Sequence, residues 1–460
     1  TDEHGQKVQD AARANGINPQ IQADRLVVRF QEVWERLHVE YDDFIRTTQD
    51  RHTRVVTAVL QDLWDRGEIY LGEYEGWYCV PDERFWTEKD VTDQKCPDCG
   101  RPVEWLSEQN YFFRMGKHQE WLIEYIESHP GFIRPENRRS EVLGYLRKPL
   151  GDLCISRPAE RVSWGIPLPF DPAYVTYVWF DALLNYVTAA GYISDDRRFS
   201  DLWSTATHLI GKDILTLHTV LWPTMLRAAG LPLPRTIFAH GWWLLGGAKM
   251  SKSLGNVVKP LDLADFYGVD ALRFYLMGGM VAGRDADFDE DVLRARYQST
   301  LANDLGNLLH RLIDMIGRYC DGRVPTPGTR SFDGDALRQR CEGLPDEVFE
   351  HMDAFAVNEA VASIVATVRD INRYVEHAAP WAAAKEGRTT EVETALYTAA
   401  EALRITSVLL WPVMPERMAE LWRRLGWQPS DRLSEALSWG GLKPCSPVAP
   451  APPLFPRLDA

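Results

Sequence analysis

The sequence predicts an α/β protein: a doubly wound parallel sheet interrupted by a cysteine-bearing insertion, then an all-α bundle. Three observations support this. Strand-like and helix-like runs alternate on either side of residues 68–170 with short glycine-marked connections, as crossover units do. Residues 68–170 break the alternation with clustered cysteines, many aromatics and the turn-prone run RPENRRSE. From about residue 297 the strand signal stops, and apolar residues recur at helical spacing.

The elements follow in order. Asn18-Pro19 places proline at a first helical position, and Leu26, Phe30, Val33 and Leu37 then recur at helical spacing. Thr53–Arg66 is predicted as a second helix that buries Val56, Val59, Leu60 and Leu63 and stops at Gly67. VTYVWF (175–180) reads as a strand of β-branched and aromatic residues, and HLIG (208–211) as another. DILTLHTVLWPTMLRAAG reads as a helix closed by Gly230; TIFAHGWWLL returns to strand, with Gly246-Gly247 as a turn. LANDLGNLLHRLIDMIG and VNEAVASIVATVRDINRYVEHAA are amphipathic helices. The Pro-rich end, KPCSPVAPAPPLFPRLDA, is expected to lie extended over the surface. The predicted domains are 1–67 and 171–235 as two parts of the sheet domain, 68–170 as the insertion, 236–296 as a linking region and 297–460 as the bundle.

With 460 residues, 45 % of them apolar, the chain can build two or three cores. A net charge of −15 disfavours indiscriminate binding to nucleic acid but leaves room for one local basic face. No run approaches the roughly 18 consecutive apolar residues of a membrane span, and no secretory leader opens the sequence. A cytoplasmic protein without membrane contact is expected. Seven cysteines, an odd number, do not make a disulfide framework.

Two stretches point to chemistry. Cys79-x₂-Asp82 and Cys96-x₂-Cys99 are pairs on tight turns, spaced to present four ligands to zinc. Asp82 is a harder ligand than is usual in a structural site, so a knuckle that has lost its metal is the competing reading. AKMSKSLGN (248–256) places Lys249 and Lys252 on a Ser- and Gly-softened loop. Mobile ammonium groups can follow phosphate and stabilise charge that grows in a transition state. A generic pair of lysines would be a solvated loop. The string KMSKS is far more specific, and it matches the second motif of class I aminoacyl-tRNA synthetases.

Further stretches sharpen that resemblance. TDEHGQKV (1–8), EGWYCVPDERFWTE (75–88), ISRP (155–158), WGIPLP (164–169), YVWFDALLNY (177–186), LIGKDIL (209–215), LGNVV (254–258), APW (379–381) and PLFPR (453–457) are similar to those of bacterial methionyl-tRNA synthetases, in the family's order. The resemblance implies a Rossmann-like catalytic domain with a zinc-knuckle insertion and a helical anticodon-binding domain. It assigns Asp2 to the α-amine of methionine, and Trp179, Tyr186, His218 and Trp222 to the pocket for its thioether. Taken alone, each aromatic would be ordinary core, and His218 a satisfied core histidine.

Gly211 and Asp213 are implied at the ATP ribose, and Lys249 and Lys252 at the triphosphate with Mg²⁺, Lys252 stabilising the transition state. Arg157 would be a further active-site or structural cation. Asn307, Arg311 and Trp381 would read the anticodon of tRNA(Met); without the resemblance, Trp381 would be a packing residue at a helix start. The implied activity is ATP-dependent activation of L-methionine and its transfer to tRNA, by a monomer. The family's HIGH motif is absent from these residues, so a catalytically inactive tRNA-binding or regulatory protein is the alternative.

Overall fold

The computed structural model describes residues 1–80, 84–86, 88–97, 99–250, 255–328 and 332–458. They form two compact units: Thr1–Glu35 with Val39–His240, and Arg36–His38 with Gly241–Ala460.

The first unit holds a parallel sheet in the order Ile133–Arg134, Thr236–His240, Thr207–Gly211. Its middle strand is buried at Thr236, Ile237, Phe238 and Ala239, as expected of a strand covered on both faces. The helix Asp50–Asp65 buries the predicted Val56, Val59, Leu60 and Leu63, and Gly67 follows at φ +69°. The expected insertion over 68–170 needs correction: its first part is an antiparallel ribbon, but Ile133–Arg134 belongs to the parallel sheet. Ile69–Cys79 pairs with Glu104–Phe113 from Ile69 opposite Phe113 to Tyr78 opposite Glu104, and its far end carries Cys79.

Two local expectations need correction. VTYVWF is not one strand: the strand Asp171–Thr176 ends, and Val178–Leu183 is helical. Tyr177 donates its backbone N–H to Ile155 O at 2.7 Å and accepts from the N–H groups of Phe180 and Asp181, so its backbone starts a helix despite strand-prone side chains. Helix Pro19–Arg36 forms as predicted, but Leu26 and Phe30 are exposed, and the buried side chains are Ala23 and Val27. The apolar spacing found the helix and misplaced its inner face.

In the second unit, Trp243–Leu245 and Ala248–Lys249 form a hairpin whose turn residues, Gly246 and Gly247, have φ +60° and +73°. Two consecutive positive φ values suit a tight hairpin turn that glycine enters without strain. The bundle that follows contains Asn307–Tyr319, Phe332–Asp353, Val357–Ala378, Thr389–Leu410 and Pro415–Arg424. The tail lies extended as expected. Tyr297 Oη donates to Pro456 O at 2.9 Å, and Leu454 and Phe455 are buried.

Helix Thr389–Leu410 is buried along most of its length and carries an ion pair in its interior. Arg404 and Glu401 are both fully buried; Arg404 Nε donates to Glu401 Oε2 at 2.9 Å and Nη2 to Oε1 at 2.6 Å. The remaining capacity of the pair is spent on one loop. Glu401 accepts from the N–H groups of Gly440, Gly441 and Leu442, while Arg404 donates to Ala436 O and Ser438 O. A Cβ on Gly441 would stand 2.7 Å from Arg404 Cζ, so the loop can approach only as glycine. Removing one partner of such a pair strands the other, at about 3–5 kcal/mol. Arg404→Leu should lower the urea midpoint accordingly. The double variant Arg404→Met with Glu401→Leu should not recover it, because three loop N–H groups then lack an acceptor. A midpoint near the parent value in either variant would show that the pair contributes little.

Candidate functional site

Strand Thr207–Gly211 and the helical turns after it assemble an aromatic cage in the first unit. Residues Leu217–Leu221 wind as a π-helix, a wide turn often found at functional sites. Here it carries His218, whose Nδ1 lies 2.9 Å from Ile214 O and whose Nε2 lies 2.9 Å from Tyr186 Oη. A carbonyl can only accept, so Nδ1 bears the proton and Nε2 accepts from the phenol. Tyr186 stacks on His208 at 4.0 Å between ring centroids, and Trp222 Nε1 donates to His208 Nε2 at 3.1 Å. Trp179 meets His218 edge-on at 6.5 Å, and Trp222 lies 6.1 Å from Tyr186.

Burial fixes the charge of this cage. It pushes the His208 pKa down to about 3, helped by His218 nearby, and lowers that of His218; it raises Tyr186 to about 12. All three are neutral at physiological pH. The Tyr186 hydroxyl and both His218 nitrogens are engaged with one another and with Ile214, and His208 Nε2 with Trp222, so ring faces and edges make up most of the surface on offer. Such a lining suits an uncharged, polarisable group such as a thioether. The four residues singled out in the sequence are brought together, and His208 joins them.

Residues 1–5 are tied down around Asp2. Glu3 is buried and receives Arg46 Nε at 2.7 Å and Nη2 at 3.0 Å; Trp164 Nε1 donates to Glu3 O at 2.6 Å. Asp2 itself is exposed. Gly211 ends its strand beside His240, its partner in register, and leads directly to Asp213. A Cβ at Gly211 would fall 2.5 Å from Asp213 Oδ1, so only glycine lets that carboxylate lie against the strand end. In parallel sheets this carboxyl end is where ligands sit. Arg157, by contrast, is 4 % exposed. It donates to Ser156 O at 2.7 Å and lies over the ring of Tyr177 at 4.8 Å, the surroundings of a structural cation.

In the second unit Lys249 is exposed, with Nζ 4.1 Å from the centroid of Trp242. Lys252 lies outside the described residues. On the knuckle, the Sγ atoms of Cys79, Cys96 and Cys99 fall within 4.8 Å of one another, and those of Cys79 and Cys99 are 3.5 Å apart. Three converging thiols can hold a metal ion; Asp82 lies outside the described residues. Farther along, Asn307 and Arg311 share a face of helix Asn307–Tyr319, which continues a π-helix over Tyr297–Gly306. Arg311 lies 5.8 Å from the Trp381 ring and pairs with Glu376 at 2.6 Å.

Comparison with known proteins gives this geometry its family. The family model described as tRNA synthetases class I (M) matches residues 1–104 and 101–313, and that of the anticodon-binding domain of tRNA ligase matches 335–438. The methionine–tRNA ligase of Caldanaerobacter subterraneus is 44 % identical over 461 residues, covering all of this chain and 72 % of the relative. That of Streptomyces coelicolor is also 44 % identical, covering all of this chain and 88 % of the relative. The crystal structure of Mycobacterium tuberculosis methionyl-tRNA synthetase bound by methionyl-adenylate superposes with a TM-score of 0.94 at 39 % identity, covering 99 % of this chain and 91 % of that one.

The chain belongs to the methionyl-tRNA synthetases. It is a class I synthetase with a catalytic part and a helical anticodon-binding part. Sequence reasoning missed two groups in this synthetase. His208 is a polar residue on the buried face of strand Thr207–Gly211, alternating with Ile210, and that pattern was the available signal. Glu376 lies five residues before Trp381, and nothing local in the sequence marks it as the partner of Arg311. Among the described residues, no helix is long and apolar enough to cross a membrane.

Proposed function

We propose that the cage of Trp179, Tyr186, His218 and Trp222 receives the methionine side chain while Asp2 pairs with the α-ammonium. The synthetase's substrates on this reading are L-methionine, ATP and tRNA(Met). Gly211 and Asp213 would hold the ribose of ATP, and Lys249 with Lys252 its triphosphate, accompanied by Mg²⁺. The methionine carboxylate attacks the α-phosphorus and pyrophosphate leaves; the terminal adenosine of the tRNA then attacks the resulting mixed anhydride. No protein nucleophile is needed, so the chain contributes position and charge. Asn307, Arg311 and Trp381 would read the anticodon by base-edge bonding and stacking. Residues 1–67 and 171–235 would be parts of the catalytic domain, whose sheet also takes in Ile133–Arg134 and Thr236–His240, and the lysine loop would lie in the region that follows.

The observation that carries this reading is the neutral aromatic cage that these four rings form with His208. The M. tuberculosis synthetase that shares the fold holds methionyl-adenylate, the first product of this chemistry. The non-catalytic alternative has less support, since the matched family models span catalytic and anticodon parts alike. Methionine-dependent ATP–pyrophosphate exchange tests the assignment. Asp2→Asn should raise the methionine KM by about tenfold to a hundredfold, the loss of a charged hydrogen bond of about 1.5–3 kcal/mol. An unchanged methionine KM would remove Asp2 from the site.

For the knuckle we infer zinc, held by Cys79, Cys96 and Cys99 with Asp82 as fourth ligand. Among the described residues the cluster there buries Cys79, Cys96 and Val103, with Trp77, Trp86, Val91 and Cys99 packed half-buried against it, a small core for a loop to rely on. Bound zinc would cross-link the tip of the insertion. Protein purified without chelator should contain about one zinc per chain, and Cys96→Ser should lose it. Metal-free parent protein would end the inference.

A further inference from the structure

Two residues after Trp179 comes a carboxylate that the proposed chemistry does not use. Asp181 is 1 % exposed and paired on both oxygens: His4 Nδ1 lies 2.6 Å from Oδ2, and His52 Nε2 lies 2.6 Å from Oδ1. The other nitrogen of His52 is 3.2 Å from Thr188 Oγ1, whose own proton goes to Leu184 O at 2.9 Å. Both ring nitrogens of the fully buried His52 therefore have a polar partner. Burial works to raise the Asp181 carboxyl, and the hydrogen bonds from His4 and His52 outweigh it, holding the group below the usual carboxylate range.

Four separate stretches converge here: residues 1–5, helix Asp50–Asp65, helix Val178–Leu183 and helix Asn185–Ala190. Their register to the methionine site is regular. His4 comes two residues after Asp2, Asp181 two after Trp179, and Thr188 two after Tyr186. A buried charged cluster is costly to desolvate, and apolar side chains of similar volume would hold these segments at least as well. What apolar packing would not supply is a fixed, directional spacing between the segments.

We propose that His4, His52 and Asp181 are positioning residues for methionine. They set the distance between the Asp2 carboxylate and the aromatic cage, so that the ammonium and thioether of one short ligand are met together. This rests on the reading of Asp2 and the cage as the methionine site.

The test is pyrophosphate exchange with the native enzyme. Asp181→Asn keeps the side-chain shape but turns one acceptor into a donor that faces another donor. The methionine KM should rise about tenfold or more, while kcat and the ATP KM stay within about twofold. His52→Gln, which keeps a donor toward Asp181, should recover part of the loss seen in His52→Leu. A methionine KM within about twofold of the parent in both Asp181→Asn and His52→Leu overturns the proposal. So does a parallel loss in kcat and both KM values, the mark of a purely structural cluster. Should Asp181→Asn fail to fold, His4→Leu and His52→Leu carry the same readout. Asp2→Asn separates the two claims. If it leaves the methionine KM unchanged, the methionine-site reading fails; if it raises that KM while the network variants do not, only the positioning role fails.

Discussion

Lys252→Ala should slow methionine-dependent pyrophosphate exchange by about two to three orders of magnitude and leave the methionine KM near its parent value. The expectation follows from where charge develops. As the α-phosphorus is attacked, negative charge builds on the departing pyrophosphate, and a compact ammonium on a flexible stem can meet it there. An interaction made mainly in the transition state appears in kcat rather than in ground-state affinity. Its neighbour Lys249 stands over the Trp242 ring, where an ammonium is attracted by the π face while remaining exposed. A contact of that kind is weak enough at a surface to be exchanged for phosphate. A normal exchange rate in Lys252→Ala would refute its role.

Trp381→Ala separates the two parts of the enzyme. Charging of tRNA(Met) should fall by about tenfold to a hundredfold, the cost of one lost base stack at about 1–3 kcal/mol, with pyrophosphate exchange unchanged. The backbone presents this ring with care. Helix Val357–Ala378 ends at Ala379, whose φ of +40° is strained for a residue with a Cβ, and Pro380 opens the next helix with Trp381 behind it. Arg311, paired with Glu376, lies 5.8 Å from the ring. Equal losses in charging and exchange would signal misfolding instead.

These two experiments fall on residues that the sequence alone singled out, because Lys252 and Trp381 belong to continuous motifs. Helix Asp50–Asp65 was legible for a different reason: its apolar period and its terminal Gly67 agree with its packing. Helix Val178–Leu183 was not. Its side chains favour a strand, and what makes it helical is the Tyr177 backbone bonding and the burial of Asp181 between His4 and His52, partners 177 and 129 residues away in sequence. The inner face of helix Pro19–Arg36 was misplaced because Leu26 and Phe30 look like core residues and lie in solvent. His208 and Glu376 escaped notice for a common reason. Each acts through a ring or a guanidinium that only the fold brings near.

A crystal structure with bound methionine tests the central claim most directly. The thioether should lie among the rings of Trp179, Tyr186, His218 and Trp222, with the α-ammonium within hydrogen-bonding distance of Asp2. Methionine bound elsewhere, with those four rings still closed on one another, would contradict the account.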